Sequence, residues 1–521
     1  MTFVPFDWQL ADVQTLRTNN YNGLLNIEPG GTKTAISTLA AKDSGANVTL
    51  IVAPQQTHRS AWKKHTELIL EQELRVIGNV LKAHKQAYTD FKLGYPGVYA
   101  VTPQLMTRAD IDEWSGDLLI VDEVHQLSKP GSNGQKKLGG YYSNDRTLRS
   151  QFDSALALSG TPAMQNFERM WSNMRLCFPQ WNKPGQVAYD NYYLWLDERM
   201  TYEDVVTGFD GWVPMYPGEK LPEGERPWRN PDTGVLMKRK MKTAKKWLSE
   251  SEPGRLLSEA PCVIQHFRRA VCCEYHPVRE EAPTGGFLTV LEPQILDHVV
   301  ELVPAQRKAI RELEEHYMTW LADRPLVTEL TLTQRQRIRQ TCLAVPSIRD
   351  IYTDDEVVEE VYFEENAESP FLDEAINIIE HLPKDEPVVL FMESQKYAGD
   401  VVTKRLNAAG ITAAEYSGKT KAERDAYLKD FGTKYQALVV TLAAGGTGLD
   451  ELQHVSNTEI WLEYPVSLTN QTQAEARLDR MGTRHQVQRY RVIDSDGYAT
   501  GQISTNLARQ LELNKSLRRT V

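Results

Sequence analysis

"DLLIVDEVHQL", residues 117–127, is the stretch that decides the fold. Four apolar residues in a row, 118–121, end on two adjacent carboxylates, Asp122 and Glu123. A strand buried on both faces of a parallel sheet needs such an unbroken apolar run. Ligand chemistry in open α/β sheets gathers beyond the carboxyl ends of the strands. An acidic pair at that edge is therefore a candidate for holding a cation and activating water. The bland alternative is a polar strand end with His125 as a capping group.

The neighbouring sequence repeats the pattern. "VTLIVAP" (48–54), "GVYAVTP" (97–103) and "SALALSG" (154–160) are β-rich runs ending in turn residues, with amphipathic stretches such as "HRSAWKKHTELILEQE" between them. Strands alternating with helical patterns predict a parallel sheet flanked by helices. A second alternation begins near residue 370, with strands expected at 387–394, 411–418, 436–442, 459–465 and 488–494. The fold class is thus α/β, with two parallel-sheet domains in tandem. The expected limits are 1–181 for the first lobe and 370–521 for the second. Residues 182–261, rich in Pro, Gly and Trp, read as an insertion with few strong elements. Residues 262–369 read as a helical connector and second protrusion, including one charged helix over 304–323.

Upstream of the acidic pair lies "NIEPGGTKTAIS" (26–37). A phosphate loop needs glycines, a lysine and a Ser/Thr between strand and helix, so that backbone N–H groups cradle phosphates. Gly30, Gly31, Lys33 and Thr34 supply these parts. Thr32 stands where a glycine normally permits close approach, and a β-branched residue resists positive φ. Taken alone, the segment reads equally well as a Gly-rich turn before a helix.

Composition narrows the class. The length of 521 residues exceeds one ordinary core. No run of 18 apolar residues occurs, so no membrane span is expected. The start, "MTFVPFDWQLADV", lacks a basic-then-apolar signal, so a cytoplasmic protein is expected. Five cysteines without CxxC spacing read as reduced thiols, with Cys272 and Cys273 as strand filler. The net charge of −11 weighs mildly against nucleic acid, but the local field along a groove governs such binding. "KRKMKTAKK" (238–246) holds six basic residues and "DDEVVEEVYFEENAE" (354–368) eight acidic ones; the bland reading of each is a solvated face.

On these residues the chain resembles a known family. Asp-Glu-Val-His is similar to the DExH box of superfamily 2 helicases. "ALSGTPAMQNFERMWSNMRLCFP" (157–179) resembles the LSGTPLQN…ELWSLL…FP block of Swi/Snf-type DNA translocases. Other blocks follow in the family's order: "PFDWQLADV", with Gln9 placed to read adenine, "TLIVAPQQTHRSAWKKH", "VYAVTPQLM" and "TQRQRIRQTCLAVP" (333–346). In the second half come "GKTKAERDAYLKDF", "VVTLAAGGTGLDEL" and "NQTQAEARLDRMGTRHQVQRYRVI". The chain departs from the pattern at Thr32 (Gly), Asp450 (Asn) and Thr483 (Gln). An active motor is not expected to keep a strained residue without a role, so Thr32 is read as unstrained.

The resemblance implies two RecA-like lobes with helical insertions, a monomeric ATP-dependent motor, and the cofactors ATP and Mg²⁺. It implies Gln9, Gly30, Gly31, Thr32, Lys33, Thr34, Gly446 and Gly448 around the nucleotide, with Thr34 and Asp122 holding the metal. Lys33, Asp122, Glu123, Arg477 and Arg480 would carry the chemistry, the two arginines as fingers from the second lobe. Double-stranded or branched DNA would lie across both lobes, touched near Thr102, Thr161 and Thr441 and by Lys238, Arg239 and Lys240. Fork or branch remodelling in bacterial or phage DNA repair is the implied setting. The alternatives are an RNA-acting DExH helicase, an ATPase that recycles RNA polymerase, or a nucleotide-gated binding protein with little turnover.

Overall fold

The structure, a computed structural model, describes all residues except 1–2, 142–145, 163–166, 180–190, 217, 222–226, 253, 267–291, 317, 322–323, 328–330, 353–356, 418–420, 443–448, 450, 481, 484 and 517–521. In chain order the strands begin with β1 (Gly23–Ile27), β2 (Val48–Val52), β3 (Leu74–Val76), β4 (Gly97–Val101), β5 (Gly116–Asp122) and β6 (Phe152–Ser159). Next come β7 (Met200–Pro214), β8 (Trp228–Arg229), β9 (Leu236–Glu250), β10 (Val263–His266) and β11 (Gln294–Val300). Two short pairs follow, β12 (Met318–Leu321) with β13 (Arg324–Val327), and β14 (Ser347–Tyr352) with β15 (Val357–Tyr362). The last are β16 (Val388–Met392), β17 (Ala413–Tyr416), β18 (Ala437–Thr441), β19 (Thr458–Trp461) and β20 (Gln488–Asp494).

Two parallel sheets result, as the alternating pattern predicts. The first has the order β10-β1-β6-β5-β2-β4-β3. The second runs β11-β20-β19-β16-β18-β17. In the second lobe, buried clusters lie on both faces of the sheet. That is why "VVLFM" and "ALVVT" are apolar throughout instead of alternating. Fully buried Trp62, Trp114, Trp171 and Trp195 anchor the first lobe. Truncating one such side chain typically costs about 3–5 kcal/mol.

Strand pairing departs from the expected limits at two places. β10, beyond residue 261, completes the first sheet through its ladder with β1. β11, well before residue 370, completes the second through its ladder with β20. Residues 304–323 are also not one helix: it ends at His316, and β12 follows. There Thr319 and Leu321 are buried while Trp320 is exposed, a period of two that forces an extended chain. The insertion is likewise more ordered than its composition suggests. β7 and β9, 15 residues each, form a long antiparallel hairpin with β8 alongside. Cys272 and Cys273 lie outside the described residues. Among the described residues, no helix is long and apolar enough to cross a membrane.

Candidate functional site

Strand order brings the two motifs of the first lobe together. β6 lies between β1 and β5, so the turn after β1 and the acidic pair after β5 flank the end of β6 on one edge. After β1, the Gly31 N–H donates to the Glu28 carbonyl at 3.0 Å, and Gly30 takes φ 88°, open to glycine without strain. The helix α2 (Lys33–Ser44) starts there and stops at Gly45, which takes the left-handed conformation usual for a helix end. Lys33 is its first residue and Thr34 its second. The Lys33 Nζ donates to the Ile27 carbonyl at 2.9 Å.

Thr32 is not unstrained. It has φ 57° and ψ 31°, the left-handed region that costs a β-branched residue roughly 1–2 kcal/mol. What holds it there is Gln9, on the first turn of α1 (Asp7–Thr18). The Gln9 Nε2 donates to the Thr32 hydroxyl at 2.7 Å, while its Oε1 accepts from the Phe6 N–H at 2.9 Å. Gln9 is 1% exposed. The residue expected to read adenine thus fastens the phosphate-loop candidate to the N-terminal helix.

The acidic pair is held as firmly. Asp122 is buried; its Oδ2 accepts from the Trp62 indole N–H at 2.9 Å and its Oδ1 from the Glu123 N–H at 3.0 Å. Trp62 closes a π turn, His58–Trp62, within the helical stretch that follows β2. Burial, and then the neighbouring Glu123 carboxylate, push Asp122 up to about 6; Trp62 and Lys33 oppose this. Glu123 adopts φ 48° and ψ 47°, again left-handed. Its Oε2 lies 3.2 Å from the Nδ1 of buried His125, which also meets the Ser159 hydroxyl at 3.1 Å. The Ser159 hydroxyl accepts from the Thr161 N–H at 3.1 Å. Burial, with Arg169 and Lys33 nearby, pushes His125 down to about 3, so the ring is neutral. A proton on Nδ1 satisfies both contacts. His125 is therefore more than a cap, because it ties Glu123 to the end of β6.

Lys33 feels both lobes. Burial pushes its pKa below the ordinary lysine value; Glu123, Asp122 and Glu28 oppose that, and Arg480 adds to it. The second lobe's arginine therefore comes near the first lobe's lysine. Arg480 follows the helix Leu468–Glu475, and its N–H donates to the Thr483 hydroxyl at 3.2 Å. That hydroxyl also lies 2.7 Å from the Arg480 carbonyl, as its donor. Thr483, one of the departures from the family pattern, pins the turn that carries Arg480. The Arg477 Nη1 donates to the Leu449 carbonyl at 3.1 Å.

The other expected residues are scattered in role. The Thr102 hydroxyl accepts from the Leu105 N–H at 3.2 Å, capping the helix Pro103–Arg108. Thr441, at the end of β18, is 2% exposed. Lys238 pairs with Glu219 within the hairpin, and Lys240 is exposed. Arg239 pairs through its backbone with Trp212. Gly446 and Gly448 lie outside the described residues, as does Asp450. Sequence reasoning passed over Trp62, Ser159 and Thr483 as working parts. Each sits inside a block quoted above, but only the folded contacts reveal what it touches.

The donor set fits a magnesium nucleotide. A half-buried ammonium faces two carboxylates, one with its pKa raised by burial and by the other's charge, and an added cation relieves that strain. Among the described residues no group of three or more His, Cys, Asp or Glu gathers for a metal. A cation here would complete its shell with phosphates and water, as Mg²⁺ does. No curated protein matches the chain. Residues 371–482, which include Arg477 and Arg480, match the family described as the helicase conserved C-terminal domain. Together with the tandem parallel sheets, that match indicates a helicase-type protein of superfamily 1 or 2, a nucleotide-hydrolysing, ATP-driven motor on nucleic acid.

Proposed function

We propose that the protein is an ATP-hydrolysing motor that moves along double-stranded DNA, with forks and branched DNA as its working substrates. The observation that carries this reading is the placing of Lys33 and the acidic pair Asp122–Glu123 on one sheet edge, within electrostatic reach of Arg480 of the other lobe. Bound Mg²⁺ would neutralise phosphate charge, and Thr34 and Asp122 are the residues that would hold it. Lys33 binds the outer phosphates and Glu123 receives the proton of the attacking water. Arg477 and Arg480 complete the charge balance only when the lobes meet, so each turnover is tied to lobe closure. Thr161 would report a DNA contact to Glu123 through Ser159 and His125.

Phosphate release measured with duplex, forked DNA, a four-way junction and single-stranded RNA tests the reading. Stimulation by duplex or branched DNA but not by RNA is expected. RNA-only stimulation would favour the RNA-acting alternative, and no stimulation by any nucleic acid a nucleotide-gated binder.

Glu123→Gln is expected to bind ATP with Mg²⁺ and to turn it over about 10²- to 10⁴-fold more slowly, since an amide cannot accept the water's proton. Equilibrium nucleotide binding beside phosphate release checks this. Loss of binding would make Glu123 a structural group instead.

Thr32→Gly is expected to tighten ATP binding by about 1 kcal/mol, roughly fivefold, by removing a strained Cβ beside the phosphates and freeing the Gln9 carboxamide. Thr32→Ser keeps the hydroxyl that Gln9 holds and stays close to wild type. Weaker binding in the glycine variant with retention in serine would put the Thr32 hydroxyl on the nucleotide.

A further inference from the structure

Gln9 is occupied at both ends of its carboxamide. Its Nε2 donates to the Thr32 hydroxyl at 2.7 Å, and its Oε1 accepts from the Phe6 N–H at 2.9 Å. A carboxamide has two N–H donors and two oxygen lone pairs, so one of each is left over. Reading adenine takes such a pair, the oxygen accepting from the 6-amine and an N–H donating to N7. The side chain is 1% exposed, however, so the spare donor and lone pair are enclosed by protein. To meet a base, Gln9 would have to leave Phe6 and Thr32. Leaving Thr32 would release a residue held at φ 57° immediately before Lys33. The contact that Gln9 makes thus serves the phosphate end of the site.

What lies open beside Gln9 is aromatic. Phe6, the residue before α1, is 51% exposed. Its ring is nearly parallel to that of Trp8, with 8° between the planes and 6.0 Å between centroids. Trp8 packs against the core of the first lobe and leans on His266, 4.8 Å away. His266, the last residue of β10, is fixed in turn by its Nε2, 2.8 Å from the Oδ2 of buried Asp12. Phe6 is therefore a ring backed by a second ring, and that second ring rests on a buried pair. An aromatic face stacks on any base and has no donor or acceptor with which to tell an amine from a carbonyl.

We propose that the nucleotide site accepts adenine and guanine nucleotides alike, with the open Phe6 ring stacking on the purine and Gln9 serving the phosphate loop instead of the base. This rests on the motor reading above and widens the motor's fuel from ATP to purine nucleoside triphosphates. Equilibrium binding and kcat/KM for ATP and GTP with Mg²⁺ and duplex DNA test it. The proteins are wild type, Gln9→Ala, Gln9→Glu and Phe6→Ala. Wild type is expected to use the two nucleotides within about tenfold of each other, whereas a site that reads the base by hydrogen bonds separates them by orders of magnitude. Gln9→Ala should lower kcat/KM about 2- to 10-fold for both nucleotides, the worth of one buried hydrogen bond, and leave their ratio unchanged. Gln9→Glu should recover most of that loss for both, because a carboxylate accepts from the Thr32 hydroxyl and from the Phe6 N–H. Phe6→Ala should weaken binding of both by about 5-fold or more. A wild-type preference for ATP above about tenfold, a preference that shrinks in Gln9→Ala, or unchanged binding in Phe6→Ala overturns the proposal. Wild type that hydrolyses neither nucleotide would overturn the motor reading instead.

Discussion

Lys33→Ala is expected to abolish ATP hydrolysis and to leave the fold intact. The ammonium is the first residue of α2, at the mouth of a turn and outside the apolar core. Its bond within the protein is to the Ile27 carbonyl, which water can replace. Burial presses it towards the neutral amine, and the two carboxylates and Glu28 hold it charged. The empty fold therefore gains little from this cation, and a phosphate-side role explains its presence. In the proposed role, removing it would take a full positive charge from the β and γ phosphates, where phosphoryl transfer depends on charge neutralisation. Phosphate release with and without DNA, beside circular dichroism and a thermal melt, reads the result. Retained DNA-stimulated turnover would remove the phosphate-loop assignment.

Arg480→Ala is expected to have the next largest effect: turnover should fall on the order of 10³-fold or more, as for loss of an arginine finger. ATP affinity should change far less, because the phosphate-loop candidate and the acidic pair both lie in the first lobe. The basis is positional. Thr483 holds the Arg480 backbone by its hydroxyl, and the guanidinium comes near enough to Lys33 to depress it. Arg480→Lys is not expected to rescue, since a lysine cannot reproduce the planar, forked donor set. Single-turnover kinetics together with nucleotide binding separate chemistry from affinity. Turnover within a few-fold of wild type would take Arg480 out of the site.

The sheets were legible because parallel strands buried on both faces write themselves as apolar runs. Every run singled out in the sequence corresponds to a strand: β2, β4, β5 and β6 in one lobe, β16 to β20 in the other. What stayed hidden were edge strands and local conformations. β10 and β11 are edge strands separated in sequence from the sheets they complete, so no alternation announces them. β7, "MTYEDVVTGFDGWVP", breaks its period at three irregularities in the ladder with β9, which blurs the signal of a long strand. In the site, residue types announced the lysine and the carboxylates, but the sequence could not tell that Thr32 is left-handed. That depends on Gln9, which lies 23 residues earlier and reaches Thr32 only once α1 is docked. The same holds for Trp62 and Asp122, 60 residues apart and joined by one buried bond.

Movement along DNA is the central claim, and displacement of a third strand reads it without requiring the duplex to open. A fluorescent triplex-forming oligonucleotide is placed on a duplex at a distance from the loading end, and its release is followed in time. ATP with Mg²⁺ is expected to drive release after a lag that grows with that distance. A non-hydrolysable analogue, or Lys33→Ala with ATP, should give none. DNA-stimulated ATP turnover with no release at any distance would contradict the account.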